Sequence, residues 1–461
     1  MVNRRDFIKH ISGVGALTIS GMMANKSYGT PMPLAPKEPH YEAKAKSVIF
    51  LYMDGGVSHV DSFDPKPLLA RLNGQKPKFK VDATVFNNNG NILKSPWEFK
   101  NYGQSGLPVS DLFPNIGEMA DDLCVMRSMT AFSPNHPNAN YSLHSGHVLS
   151  GRPSMGAWMT YGLGTDNQSL PGFVVLHGGR VPSGGMQCFT SGFLPANYQG
   201  STILPGSAPL FNVTPIEKQE GLQARKLKYL NQIDKDLVAR TSHAPQIESA
   251  LQNYELAYKM QSAIPEAVDL SKESEATKKL YGMDHRYKFT QKYGAQCLIA
   301  RRMVERGVRF IELTMNTAVG DRWDQHVNLK KGHEQNALTV DQPIGALIKD
   351  LKARGLLDST LLVFAGEFGR TPFAQGKNGR DHNPQGFSIW MAGGGIKGGT
   401  TYGSTDEFGY RVIENKMTVH DMHANMLHLM GLDHTRLTYR YGGRDVRLTD
   451  VHGEIIPEIL A

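Results

Sequence analysis

Cysteine is scarce in this chain. The three cysteines, Cys124, Cys188 and Cys297, are an odd number at wide spacing. This pattern excludes a disulfide framework and a thiolate metal cluster, and it leaves room for at most one disulfide. Because free cysteine is among the most buried residue types, we expect each one to act as a small hydrophobic residue in the core.

Long apolar runs and basic runs are also missing. A membrane-spanning helix needs about 20 consecutive apolar residues, and no segment has them, so no stable membrane span is expected. The formal net charge is +7, of which about +4 remains without residues 1–29. Such a small excess, without a basic run, argues against a nucleic-acid partner. It leaves open a site for an anionic substrate.

The first 29 residues have the features of an export signal. Arg4 and Arg5 precede a weakly hydrophobic stretch at 11–24, which small and polar residues follow. Paired arginines before such a stretch resemble a twin-arginine signal, which directs folded proteins to the export machinery. We expect a signal peptide at 1–29, a linker at 30–46 and a periplasmic or extracellular protein; the alternative is a basic start on an amphipathic helix. Export of folded protein suits a protein that is loaded with a metal first.

The rest of the chain alternates strand and helix patterns. Residues 47–53 form an apolar run that ends at Asp54-Gly55-Gly56, as expected of a central parallel strand entering a turn. Further strands are predicted to begin near Leu123, Phe173, Val308, Thr360 and Phe387. Segments 78–81 and 97–100 flank Asn87-Asn-Asn-Gly90, which predicts an inserted hairpin.

Helical spacing covers four stretches, and the first looks like an insertion. They are about 216–273, 287–306, 335–354 and 420–430, the last two ending at Gly355 and Gly431. Alternating strands and helices predict an α/β protein with a mainly parallel sheet, most simply one domain over 47–461.

Acidic residues and histidines follow several predicted strands. They are Asp54, Asp324 with His326, Glu367, and Asp381 with His382. Strand ends that converge can supply carboxylates and imidazoles to a divalent metal ion from several directions. The i, i+2 spacing of Asp324 and His326 places both on one face of an extended loop. Asp381 and His382 are adjacent, so an extended backbone would point their side chains in opposite directions. We favour His382 as the ligand.

Each of these acids also has a simpler interpretation. Asp54 can cap a helix or stabilise the Gly-Gly turn, and Asp381 can be a turn residue. Glu367 directly follows an apolar strand, where an unpaired carboxylate would be destabilising, and an ion pair with Arg370 is its alternative role.

Five segments resemble a family of exported bacterial proteins. The segments are Val-Ile-Phe-Leu-Tyr-Met-Asp-Gly-Gly-Val-Ser-His-Val-Asp-Ser-Phe-Asp-Pro-Lys-Pro at 48–67, Gly-Glu-Phe-Gly-Arg-Thr-Pro at 366–372, Gly-Arg-Asp-His at 379–382, Ala-Gly-Gly-Gly-Ile-Lys-Gly-Gly at 392–399 and Gly-Arg-Asp-Val-Arg-Leu-Thr-Asp-Val-His-Gly at 443–453. The family is a domain-of-unknown-function family, often labelled sulfatase-like and placed in the alkaline phosphatase superfamily. The resemblance covers about 47–461.

The resemblance implies an alkaline-phosphatase-like three-layer fold with metals at the carboxyl edge of the sheet. It implies a hydrolase of phosphate or sulfate esters acting on an anionic small molecule or polysaccharide, with one or two divalent ions. The ligand positions it implies are Asp54, Asp324, His326, Glu367 and His382, with Asp381 kept as a candidate. Histidine ligands favour Zn or Mn over Ca. Arg370 is then placed to neutralise a nonbridging ester oxygen.

The chain departs from the sulfatase pattern at the nucleophile. His136 occupies that position in His136-Pro-Asn-Ala-Asn140, and the Pro and Arg of the pattern are absent. Without a Cys to modify, a formylglycine sulfatase is not expected. His136 is a candidate nucleophile, metal ligand, general base or structural histidine, and Ser133 is a weaker nucleophile. A binding or scaffold protein that kept the fold but lost catalysis is the alternative function.

Other histidines are expected to be structural. His420, His423 and His428 lie on a predicted helix among apolar residues. His59, near Asp61 and Asp64, is as well suited to ordering its loop as to supporting a metal ligand.

Overall fold

The structure, a computed structural model, describes residues 34–84, 86–179, 181–204, 221–240, 245–315 and 322–461. The expected signal peptide at 1–29 and the start of the linker lie outside these residues, so both stay predictions. Within the described ranges, none of the helices combines the length and apolar character that a bilayer crossing needs.

The strands of the described residues belong to one large sheet and several small ones. In chain order they are β1 (Ser47–Tyr52), β2 (Asn89–Ile92), β3 (Phe99–Tyr102), β4 (Leu107–Ser110), β5 (Leu123–Thr130), β6 (Phe173–Leu176), β7 (Ser201–Ile203), β8 (Phe310–Thr314), β9 (Thr360–Ala365), β10 (Gly369–Gln375), β11 (Gly379–Asn383), β12 (Phe387–Ala392), β13 (Thr400–Tyr402), β14 (Ser404–Thr405), β15 (Val412–Glu414), β16 (Met417–Thr418), β17 (Tyr439–Tyr441) and β18 (Arg444–Val446).

The helices flank the large sheet. They are α1 (Pro67–Arg71), α2 (Pro114–Gly117), α3 (His136–Ser145), α4 (Met155–Leu163), α5 (Leu222–Arg240), α6 (Pro245–Val268), α7 (Glu275–Leu280), α8 (Lys288–Glu305), α9 (Leu329–Ala353) and α10 (Val419–Leu429). The helical predictions are confirmed, although 216–220 and 241–244 lie outside the described residues. Gly355 and Gly431 have φ of +67° and +77°, the left-handed conformation that ends a helix at glycine.

The large sheet has the order β13-β5-β12-β9-β1-β8-β6-β7, with β16 also paired to β5. Strands β9, β1, β8, β6 and β7 run parallel, whereas β12 is antiparallel to both of its neighbours. The predicted mainly parallel α/β sheet is therefore confirmed. Its parallel strands end at one edge, so the loops after β1, β8 and β9 lie near one another there.

Successive residues of β1 point to opposite faces and enter two separate cores. Ile49 and Leu51 pack in one core with residues of α8 and α9, whereas Val48 and Phe50 pack in the other with residues of α4 and α10. All are 0% exposed, which makes β1 a central strand covered on both faces. The result is a three-layer α/β/α arrangement.

The predicted hairpin around Asn87–Gly90 is wrong. Segment 78–81 is not a strand; β2 instead pairs with β10, and β3 forms a hairpin with β4. A second difference lies at 369–383, where no strand was predicted. There β10 and β11 pair in a three-stranded sheet with β2, and this sheet lies at the carboxyl edge of the large one.

The cysteines behave as predicted. All three are free and buried, with exposures of 0% for Cys124, 1% for Cys188 and 0% for Cys297.

Candidate metal centre

His136 is the first residue of α3, and its ring lies between two carboxylates. Nδ1 donates to Glu367 Oε1 at 2.6 Å, and Nε2 lies 3.1 Å from Asp324 Oδ2. Phe368, 1% exposed, packs against this ring with centroids 4.8 Å apart. The ring is thus fixed by its acceptor and by the phenyl group, with Nε2 turned toward Asp324.

His326 and Asp324 come from the loop that precedes α9. Nε2 of His326 lies 2.9 Å from Asp324 Oδ1, as their i, i+2 spacing predicts. Nδ1 faces Gln375 Oε1 at the end of β10, at hydrogen-bonding distance. Gly379 allows β11 to approach this loop, since a Cβ there would lie 1.8 Å from the carbonyl oxygen of His326.

His382 lies on β11, opposite Arg370 of β10. Its Nδ1 donates to the carbonyl of Pro134 at 2.6 Å, and its Nε2 lies 3.1 Å from Asp324 Oδ1. Asp381 points elsewhere, as expected for the adjacent residue in a strand. Its Oδ1 accepts the His382 backbone N–H at 2.8 Å and lies 4.0 Å from His326 Nδ1.

These four side chains form what we call the histidine cluster: His136, Asp324, His326 and His382. One nitrogen or oxygen from each lies within 4.8 Å of the others. Each imidazole has Nδ1 on an oxygen acceptor and turns Nε2 toward the carboxylate, the usual arrangement of metal-binding histidines. His136 Nε2 is buried and has no hydrogen bond of acceptable geometry. Three imidazoles and a carboxylate fit a first-row transition-metal ion.

Arg370 provides a fixed positive charge beside the cluster. Its side chain is 0% exposed, and Nη2 lies 2.5 Å from Asp324 Oδ1. Its other donors bind the backbone carbonyls of Gly55, Gly56 and Arg380. The ion pair between Glu367 and Arg370 is not among the pairs of the described residues. Arg370 instead stabilises Asp324.

The charges of the cluster shift its pKa values in different directions. Burial raises the pKa of Asp324, but Arg370 and the three imidazoles outweigh burial and hold that pKa well below its usual range. Burial lowers the pKa of His136, but Asp324 and Glu367 outweigh it and raise that pKa to about 9. Burial, with Arg370 and His136, lowers the pKa of His382 to about 4. Asp324 is therefore the permanent anion on which the rings converge.

Asp54 and Glu367 are at the same edge but outside the histidine cluster. Asp54 follows β1, and its Oδ1 accepts a hydrogen bond from Tyr52 Oη at 3.0 Å. Its Oδ2 contacts Nη1 of Arg322. The two oxygens of Glu367 accept the Gly55 N–H at 2.9 and 3.1 Å.

Tyr52 Oη also contacts Asn140 Oδ1. We call Tyr52, Asp54, Asn140 and Glu367 the oxygen pocket.

Sequence reasoning missed three residues of this edge. Gln375 orients His326, Asn140 reaches the oxygen pocket from one turn after His136, and Arg322 pairs with Asp54. Asn140 has a detectable signal, because a residue four positions after His136 lies on the same helix face. Gln375 and Arg322 become apparent only from the pairing of β10 and β11 and from the loop path.

The remaining sequence candidates have ordinary structural partners. His59 Nε2 bonds the carbonyl of Gly409 at 2.6 Å, and Asp64 pairs with Lys66 at 3.0 Å. Ser133 Oγ accepts the Asn135 N–H at 3.1 Å.

Asp61 is buried against Arg380, with contacts of 2.7 and 3.0 Å. Burial raises the pKa of Asp61, but Arg380 outweighs it and the net shift is downward. This pair fixes β11, and with it His382, to the loop after β1.

Several solved structures are similar to this chain at low sequence identity. The PsFucS1 sulfatase from Pseudoalteromonas sp. is 13% identical, with TM-score 0.37, over 86% of this chain and 68% of that one. The phosphonate monoester hydrolase SpPMH from Silicibacter pomeroyi is 10% identical, with TM-score 0.35, over 69% and 68%. The alkaline phosphatase from the Antarctic bacterium TAB5 is 8% identical, with TM-score 0.34, over 80% and 96%.

No curated protein sequence matches the chain. A family model matches residues 45–460, which is nearly the whole chain. The chain therefore belongs to the family described as Protein of unknown function (DUF1501).

Proposed function

We propose that this chain is a metal-dependent hydrolase of phosphate or sulfate esters. The observation that carries the proposal is the convergence of three imidazole Nε2 atoms on the Asp324 carboxylate, each ring oriented through Nδ1. Such an arrangement suits a metal ion better than a purely structural network, because a neutral imidazole that donates through Nδ1 turns its Nε2 lone pair toward a carboxylate that offers it no proton.

The histidine cluster is the proposed ligand set. Three nitrogen donors favour Zn or Mn over Ca, which prefers oxygen ligands. An ion held there would supply Lewis-acid stabilisation of the charge that develops on ester oxygens. The side chain of Asp324 is 27% exposed, so the cluster is open to a substrate from its side.

The role of His136 becomes narrower in this proposal. Its Nδ1 is held by Glu367, and its buried Nε2 faces Asp324 at 3.1 Å without a hydrogen bond. A covalent nucleophile needs a free, accessible nitrogen, so we assign His136 as a ligand. Glu367 then orients His136 rather than binding the ion, and Asp54 and Asp381 are removed from the proposed ligand set.

Arg370 is the residue proposed to favour an anionic ester. Its guanidinium lies beside Asp324 and is fixed by three backbone carbonyls. Its side chain is 0% exposed, so its fixed positive charge would favour an anionic ester through the electrostatic potential of the site and not through direct contact. The substrate class we propose is accordingly an anionic small-molecule or polysaccharide ester.

We also propose that the chain is exported by the twin-arginine route, on the basis of Arg4 and Arg5. A fusion of residues 1–46 to a reporter should reach the periplasm of a twin-arginine-competent host, and Lys at both positions should abolish export. Export through the unfolded-protein route instead would contradict this assignment.

The activity is tested by metal analysis and an ester panel on the folded full chain. We expect wild-type protein to contain a transition metal and to hydrolyse phosphate or sulfate esters, and we expect His326→Ala to lose both. His452→Ala is the control, because His452 is exposed and stacks on His420, outside the cluster. Equal metal content in wild type and His326→Ala would overturn the site.

The second candidate is a binding or scaffold protein that retains the metal without turnover. One observation favours it: His136 occupies the expected nucleophile position, but its Nδ1 is held by Glu367 and its Nε2 is buried within the cluster. Metal in the cluster together with no hydrolysis of any ester in the panel would support this candidate over the hydrolase.

A further inference from the structure

The oxygen pocket faces a cation that belongs to the protein itself. Arg322 is 7% exposed, and its Nη1 contacts Asp54 Oδ2. Its Nη2 donates to the carbonyl of Val181 at 2.7 Å, whereas its buried Nε has no hydrogen-bond partner. Burial lowers the pKa of this guanidinium, and the nearby Glu367 carboxylate opposes that shift. Arg322 thus lies within the set of oxygens that follow β1 and β9.

The backbone holds Arg322 in this position. Its φ is +52°, a left-handed value that is uncommon for a residue with a side chain and that often occurs at functional sites. Its carbonyl accepts hydrogen bonds from the Gln325 and Asn336 side chains. Trp323, 0% exposed, follows directly and anchors the loop in the core. These contacts of the residues that follow Arg322 therefore constrain where the guanidinium lies.

The donor types of the two neighbouring groups differ. The histidine cluster offers three nitrogens and one carboxylate, whereas the oxygen pocket offers two carboxylates, an amide oxygen and a phenol. Oxygen donors of this kind suit Mg²⁺ or Ca²⁺. Two buried carboxylates without a cation would be strongly destabilised. Glu367 has His136 as its partner, so Asp54 is the carboxylate that still requires a positive charge.

We propose that Arg322 is the resident cation of the oxygen pocket, so that the centre binds a single metal ion, in the histidine cluster. This inference rests on the metal centre of the proposed function. The guanidinium contacts Asp54, and it therefore supplies the positive charge that a second ion would otherwise have to supply. It balances Asp54 with a charge that cannot dissociate or exchange. Removal of this charge is expected to convert the pocket into a binding site for a hard divalent cation.

Metal stoichiometry of the full chain is the test. Protein stripped with a chelator is titrated with Zn²⁺ and, separately, with Mg²⁺ and Ca²⁺, and bound metal is measured by calorimetry and elemental analysis. We expect wild type to bind one Zn²⁺ and neither Mg²⁺ nor Ca²⁺ at millimolar concentration. Arg322→Ala should still bind one Zn²⁺ and should gain one Mg²⁺ or Ca²⁺.

Two further variants separate charge from shape. Arg322→Lys keeps a cation and should behave as wild type. The double variant Arg322→Ala with Asp54→Asn removes a carboxylate and should lose the gained site. Circular dichroism and the melting temperature establish that each variant is folded.

Two ions bound to the wild-type chain would overturn the inference even if every variant failed to fold. A folded Arg322→Ala chain without a gained site would also overturn it. Wild type that binds no transition metal would instead contradict the proposed function, because that result concerns the histidine cluster. The gain of a Mg²⁺ or Ca²⁺ site in Arg322→Ala is measured independently of that result.

Discussion

The histidine cluster and the histidines of α10 use the same side chain in opposite ways. In the cluster, Nδ1 is held by an acceptor and Nε2 faces Asp324. On α10, His420 and His423 use Nε2 itself, which lies 2.8 Å from the carbonyls of Gly146 and Leu143 respectively. A histidine of this kind donates its Nε2 proton to a backbone carbonyl and so has no Nε2 lone pair to offer, and it serves the packing of α10 against α3. The difference is one of neighbours, not of burial or residue type.

The largest expected contrast between the two groups is in metal content. Replacement of a cluster histidine removes a ligand, whereas replacement of His423 removes a backbone contact on another element. We expect His382→Ala to bring bound metal to near zero and His423→Ala to leave metal per folded chain unchanged. Elemental analysis of purified protein measures both. Loss of metal in a folded His423→Ala chain would erase the distinction.

The groups that hold Nδ1 should have a smaller effect on metal binding than the ligands. Gln375→Ala removes the acceptor of His326, and such orienting groups typically contribute about 10–100-fold in metal affinity. Competition with a chromogenic chelator measures the change in affinity. Gln199→Ala, at an exposed position, is the matched control. An affinity unchanged by Gln375→Ala would mean that the ring does not need this acceptor.

Replacement of a buried histidine of α10 should lower the free energy of unfolding. His423 is 0% exposed, and replacement by Ala leaves a cavity and an unpaired Leu143 carbonyl. Large-to-small changes of this kind destabilise by about 2–4 kcal/mol. Urea unfolding followed by circular dichroism measures the loss. A loss below about 1 kcal/mol would show that α10 repacks around the vacancy.

The free energy of unfolding at acid pH should depend on His423. Burial, and next His420, lower the pKa of His423 from its ordinary 6.5 to about 3. Below pH 6.5 the unfolded chain therefore binds a proton that the folded chain does not. This residue contributes a loss of at most about 1.4 kcal/mol of unfolding free energy per pH unit as the pH falls toward 3. The difference between wild type and His423→Gln should shrink over that range, and a constant difference would contradict the neutral assignment.

The smallest effect is expected at His428, near the end of α10. It is partly exposed, and its Nδ1 is 2.9 Å from the Tyr41 hydroxyl. A partly exposed hydrogen bond of this type contributes about 0.5–1 kcal/mol. His428→Ala should lower the unfolding free energy by no more than this, with metal content unchanged. A loss of unfolding free energy as large as that of His423→Ala would mean that His428 stabilises α10 as much as the buried His423 does.

Apolar patterns made most of the fold predictable. The runs that became β1, β9 and β12 are buried on both faces of the sheet, and such strands are recognisable as continuous apolar segments. Strands β10 and β11 were missed because their buried residues include Arg370, Arg380 and Asp381. These polar side chains are buried through contacts with residues far along the chain, which local composition does not encode.

The site was predictable to a similar extent. Strand ends and the i, i+2 spacing identified Asp324, His326 and His382 as neighbours, and His136 was recognised as a residue of the site with its role left open. The separation of Asp54 and Glu367 from the cluster was not predictable, because it depends on the conformation of Arg322 and on the path of the loop before α9. Ion-pair partners are chosen in three dimensions, and sequence order does not specify them.

The wide spacing of the cluster along the chain also determines when the centre can form. His136 and Glu367 meet across 231 positions, and His382 and Pro134 across 248. Closure of such long loops precedes any gain from the contacts that they bring together. Asp324 and His326 alone would offer an ion only two ligands in a chain that is still folding. Metal binding at this centre would accordingly be a late step that follows tertiary assembly. Free ions in the medium would bind only weakly until β11 has docked.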